Sequence, residues 1–72
     1  MKYEVITYED GSTEWRRGGK LHRDWDLPAV VFDNGTKMWY RDGQLHRDGG
    51  QPAIVWADGR VEFWVDGQRV DR

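Results

Sequence analysis

YRDGQLHRD, residues 40–48, combines a turn signal with a four-residue word, LHRD, that also stands at residues 21–24. The two copies lie 24 positions apart. Gly11, Gly35 and Gly59 keep the same spacing, and so do Gly19, Gly43 and Gly67. The columns between them agree: Ile6, Val30 and Ile54; Tyr8, Phe32 and Trp56; Trp15, Trp39 and Phe63; Lys20, Gln44 and Gln68. Pro28-Ala29 matches Pro52-Ala53, where the first copy has Glu4-Val5. Three copies, 1–24, 25–48 and 49–72, account for all 72 residues without insertion or deletion. A fixed period of this size predicts one domain built as a stacked array, each unit burying its face against the next.

Each unit reads as strand, tight turn, strand, tight turn. Asp10-Gly11, Asn34-Gly35 and Asp58-Gly59 are strong hairpin signals, because a type I′ turn needs positive φ at both central residues. Gly18-Gly19, Asp42-Gly43 and Asp66-Gly67 supply a second turn per copy. No segment shows a helical period. The chain is therefore expected to be all β: an antiparallel meander of about six strands, at 3–8, 12–17, 27–32, 36–41, 51–56 and 60–65. The stretches 20–23 and 44–47 are candidates for short third strands. Pro28 and Pro52 fall at strand starts, where a missing N–H does least harm.

If each Asx-Gly pair is a two-residue loop, Phe32 lies opposite Lys37, Val31 opposite Met38 and Val30 opposite Trp39. One face then carries Ile6, Tyr8, Trp15, Val30, Phe32, Trp39, Ile54, Trp56 and Phe63, a continuous apolar stripe and the expected core. The other carries Val5, Thr7, Ala29, Val31, Met38, Tyr40, Ala53, Val55 and Trp64, mixed with Glu14, Arg16 and Glu62. A single sheet cannot cover both faces. A fold-over of the sheet, a second copy or a partner is needed.

Composition narrows the function. Eleven basic residues against thirteen acidic leave a net charge of −2, too balanced for a dedicated polyanion binder or a DNA mimic acting by charge alone. With no Cys there is no disulfide and no thiol nucleophile. No apolar run suits a signal peptide or a membrane span, so the cytoplasm is the expected location. Five of the ten aromatic residues are Trp and eight of the eleven basic residues are Arg, the types most enriched at binding hot spots.

Tyr40-Arg41-Asp42-Gly43-Gln44-Leu45-His46 fits an aromatic-x-x-Gly-x-x-His pattern, and Trp64-Val65-Asp66-Gly67 fits its first half. On these residues the chain resembles the MORN repeat (membrane occupation and recognition nexus), a β-hairpin unit of similar length. Arg16 stands in the aromatic position of the first copy. Arg23 and Arg47 follow the His where that family usually has Gly, and Val70 replaces the His of the third copy. The chain is also similar to the LHR…GPA repeat proteins of bacteriophages and giant viruses. The resemblance covers all three copies. It implies a MORN-like twisted antiparallel sheet, protein or lipid contacts, no catalysis and a phage origin.

His22-Arg23-Asp24 and His46-Arg47-Asp48 admit two readings. In one, the Arg forks and His donors form a repeated anion or nucleotide site. In the other, favoured here, they are structural: His packs on the aromatic of its own hairpin, and Arg and Asp pair with neighbouring copies. A shared zinc ion is disfavoured, since equivalent positions two strands apart are separated by ~10 Å. No nucleophile–base spacing can be proposed, so the chain is read as non-enzymatic, with no catalytic residue, metal ligand or cofactor.

The leading expectation is a non-catalytic protein-binding module, a phage-encoded inhibitor that occludes a host protein, as anti-CRISPR counter-defence proteins do. Its candidate binding residues are Trp25, Tyr40 and Trp64, surrounded by Arg23, Arg41 and Arg47, with His22 and His46. Trp25 stands out because its counterpart is Gly49, so the repeat does not require it. The alternatives are a self-assembling structural β-repeat, including a homodimer, and a nucleotide-signal sponge or nucleic-acid binder using the His-Arg turns.

Overall fold

A computed structural model describes residues 2–71. The chain is all β and antiparallel, and the sheet is open. Ten short strands are present among the described residues: β1 (Glu4–Thr7), β2 (Thr13–Arg17), β3 (Lys20–Leu21), β4 (Val30–Val31), β5 (Lys37–Met38), β6 (Tyr40–Arg41), β7 (Gln44–Leu45), β8 (Ile54–Val55), β9 (Val61–Val65) and β10 (Gln68–Val70). The main sheet runs β1-β2-β4-β5-β8-β9-β10, with β3 also on β2, and β6 pairs β7 separately.

The expected count of about six strands is corrected to ten, and the reason lies at Trp15 and Trp39. Each sits where one strand serves two neighbours. The Trp15 N–H donates to Ala29 of the next copy, and its carbonyl accepts from His22 of its own copy. Trp39 repeats both bonds with Ala53 and His46. Around Trp39 the expected strand 36–41 divides into β5, facing the next copy, and β6, facing β7. The expected strands 27–32 and 51–56 shrink to β4 and β8, because Pro28 and Pro52 lack the N–H that would extend the ladder.

The first turn of each copy is not the type I′ turn expected of it. In the first turn of each copy, Tyr8, Phe32 and Trp56 N–H bond to Ser12, Thr36 and Arg60 carbonyls, enclosing three residues rather than two. Only Gly11, Gly35 and Gly59 have positive φ there. This is the three-residue hairpin loop that closes on a left-handed glycine. The Asx side chains explain the choice. Asp10, Asn34 and Asp58 Oδ1 accept the N–H two residues ahead, at 2.9, 2.9 and 3.0 Å, an Asx-turn that keeps their own φ negative. The type I′ turns are the second ones: Gly18-Gly19, Asp42-Gly43 and Asp66-Gly67 have positive φ at both residues and enclose two-residue loops.

One extra loop residue shifts the register by one, which overturns the expected core stripe. Val30 pairs with Met38 and Val31 with Lys37, not Val30 with Trp39. The row Ile6, Glu14, Val30, Met38, Ile54, Glu62 occupies one face. Thr7, Thr13, Val31, Lys37, Val55 and Val61 occupy the other. Alternation places Trp15, Trp39 and Phe63 with the second row. Ile6, Val30 and Ile54 are thus divided from the aromatic column they were expected to join. Burial is shared between the faces: Val30 and Ile54 are buried on one, Trp39 on the other, with Ala29 and Ala53 fully enclosed. The connecting segments 22–29 and 46–53 fold over the tryptophan face, as their stacking and hydrogen bonds show below.

Candidate functional site

The two LHRD words occupy equivalent environments. His22 Nδ1 accepts the N–H of Asp42 at 3.0 Å, and His46 Nδ1 accepts that of Asp66 at 2.9 Å. Each histidine therefore caps the type I′ turn of the following copy. The N–H aimed at Nδ1 requires a lone pair there, so Nε2 carries the proton and donates to Asp24 or Asp48, at 2.8 and 2.7 Å. Both rings are buried and both nitrogens are satisfied. The carboxyls of Asp24 and Asp48 are held below the usual range. For Asp24 the Tyr3 hydroxyl is the main cause, followed by His22. For Asp48 it is His46.

Arginine, not histidine, covers the aromatic of its own hairpin. The Arg23 guanidinium lies 3.8 Å from the Trp15 ring centroid, and that of Arg47 lies 3.8 Å from Trp39. Each reaches the proline carbonyl ahead, Pro28 at 3.2 Å and Pro52 at 3.1 Å. Arg47 also grips Asp26 through Nε and Nη2, at 2.9 and 3.2 Å, and lowers that carboxyl's pKa. The structural reading is thus realised with the roles of His and Arg exchanged. A signal for it lies in the chain: Trp15 with Arg23 and Trp39 with Arg47 become Phe63 with Asp71 in the third copy, where both members change together.

Trp25 is the outlier. It is 89% exposed, the most open large apolar side chain among the described residues. Its φ is +66°, followed by +56° at Asp26. Leu27 N–H bonds back to the Asp24 carbonyl at 3.3 Å, so Trp25 and Asp26 are the central pair of a type I′ turn. Gly49 and Gly50, the equivalent residues, have φ of +75° and +69°. A bulky side chain in that region costs about 1–3 kcal/mol.

Both neighbours of Trp25 are pinned. The Tyr3 hydroxyl accepts the Asp24 N–H at 2.9 Å and donates to its Oδ2 at 2.6 Å. Arg17 pairs with the same oxygen. Besides its bond to Arg47, Asp26 accepts the Trp39 indole N–H on its carbonyl at 3.0 Å. Tyr3 and Asp26 were not singled out in the sequence, and Asp24 only as part of the LHRD word. The Tyr3–Asp24, Asp26–Trp39 and Asp26–Arg47 bonds join residues 13 to 21 positions apart, beyond any local pattern.

Seven of the eight candidate residues border one depression of about 120 Å³ beside Trp25. Trp64 lies at an adjoining one of about 210 Å³, which holds the glycine pair in place of Trp25 and Asp26. Arg41 donates to Asp66 at 3.0 Å. Trp64 and Trp56 indole N–H groups both donate to Glu62, at 3.0 and 3.3 Å, and depress its pKa. Burial, then Glu14, pushes the Tyr40 hydroxyl pKa up. Among the described residues no group of three or more His, Asp or Glu could hold a metal ion. No helix among them is long and apolar enough to cross a membrane. No family model matches the chain, and comparison with curated proteins and with solved structures gives no match.

Proposed function

We propose that this chain is a non-catalytic protein-binding module, a MORN-like array of three hairpin copies that presents Trp25 to a partner. The observation that carries the reading is the combination at Trp25: nearly full exposure and a left-handed backbone at a position filled by Gly49 in the next copy. Folding gains nothing from an exposed indole there, and a strained backbone is tolerated where it serves a function. Pinning on both sides supports the same reading, because a preorganised anchor loses little entropy on binding. A phage-encoded inhibitor occluding a host protein is the specific form suggested by the resemblance to phage repeat proteins.

The test is capture of partners from bacterial lysate on the full chain and on Trp25→Gly, with native mass spectrometry of what is retained. A protein held by the parent chain and lost from the glycine variant is the expected result. A co-purifying mass of a few hundred daltons, indifferent to the substitution, would favour the nucleotide-sponge alternative instead.

A further inference from the structure

The geometry points to Trp25 and Asp48 as a receptor for an arginine side chain of the partner, an inference that rests on the binding-module reading above. The chain itself supplies the pattern. Trp39 carries the Arg47 guanidinium on its ring, and the Asp26 carboxylate holds the same group by two nitrogens. Trp25 and Asp48 border the same depression as that triad and offer the same two components, an indole face and a carboxylate. Trp15, Trp39 and Trp56 each carry a guanidinium on the ring, and among the described residues Trp25 carries none.

Asp48 is available for the second contact. Its side chain is 80% exposed. Its Oδ1 accepts the His46 proton and lies 3.7 Å from Arg41, a cation that bonds more closely to Asp66. Among the described residues no donor reaches its Oδ2. Asp48 and Asp26 hold their carboxylates out at this depression, with side chains 80% and 60% exposed. The Arg47 side chain lies on the Trp39 ring and is only 15% exposed, whereas the Arg41 side chain is 47% exposed and paired with Asp66. A depression whose most open charges are the Asp26 and Asp48 carboxylates, with the Arg23 and Arg47 guanidinium groups stacked on tryptophans and Arg41 paired with Asp66, favours a cation over a phosphate or a carboxylate. The planar guanidinium can stack on the indole and fork to the carboxylate together, which a lysine ammonium cannot.

The experiment is selection of displayed random peptides on the immobilised full chain, with Trp25→Gly and Asp48→Asn as counter-targets. The glycine variant takes the backbone already adopted by Gly49, so it keeps the fold while removing the ring. The expected outcome is enrichment of arginine in peptides whose affinity falls roughly 10-fold on Trp25→Gly and several-fold on Asp48→Asn. Peptides that depend on Trp25 but lack arginine would overturn this inference and leave the binding module standing. Peptides retained equally by both variants, or a parent chain that selects nothing, would also overturn it. In those cases the lysate capture decides separately whether the chain binds protein at all.

Discussion

A tryptophan at φ +66° with its ring in water is a residue whose removal should help the fold. Trp25→Gly relieves left-handed strain of about 1–3 kcal/mol and adds up to about 1 kcal/mol of unfolded-state entropy. Urea denaturation should therefore show a variant at least as stable as the parent; a clear loss would mean that Trp25 supports the fold after all. His46 should behave in the opposite way. His46→Ala leaves the Asp66 N–H without an acceptor and Asp48 without its donor, at about 2–3 kcal/mol. That corresponds to a fall in Tm of about 4–8 °C per kcal/mol in a domain this small. His46→Asn, whose side-chain oxygen can take the place of Nδ1, should recover part of the loss in the same melt.

At the level of the element, the two turn families carry different tolerances. Gly35 and Gly11 close equivalent loops at φ +94° and +90°. An alanine Cβ at Gly35 meets nothing within 4 Å, so Gly35→Ala should cost about 1–2 kcal/mol from the backbone alone. At Gly11 the added carbon would stand 2.6 Å from Asp33 Oδ1 and 3.3 Å from its Cβ. Gly11→Ala should therefore be the more damaging of the pair, and equal midpoints in denaturant would contradict the packing of copy on copy at that corner. The strands themselves contribute little local persistence. Several are two residues long, and each is held by its neighbours, so copies should unfold together rather than singly.

For the whole molecule, acid is the expected weakness. Asp10, Asp24, Asp26, Asp48, Asp58 and Glu62 all have folded pKa values below their ordinary ones, because each accepts hydrogen bonds from neighbours. A depressed carboxyl contributes stability above its unfolded pKa, near 4, and that contribution is lost as pH falls through the lower folded value. Stability should therefore drop progressively below about pH 4. Asp48→Asn, which keeps an acceptor for His46 but cannot titrate, should flatten that limb in a pH series of thermal melts. Tyr3 and Tyr40 act with the opposite sign. The Asp24 carboxylate bonded to Tyr3, and burial of Tyr40, raise their pKa values. Their share is complete below the unfolded value, near 10, and lost as pH rises through the folded ones.

The sequence by itself determined the 24-residue period, the all-β content and the positions of the two hairpin turns in each copy, though not the turns at Trp25-Asp26 and Gly49-Gly50. Those are local matters: Gly and Asx select turns within a few residues, and identical words fold alike. It also singled out Trp25, through the mismatch with Gly49. What faces what was decided only in three dimensions. A loop of three residues rather than two moved Ile6, Val30 and Ile54 to the face opposite Trp15 and Trp39. That choice turned on an Asx side chain capturing one N–H, a balance of about 1 kcal/mol that no periodicity records. The exchange of roles between His and Arg has the same origin. Histidine caps a turn 20 residues ahead, and that turn reaches it only when one copy is stacked on the next.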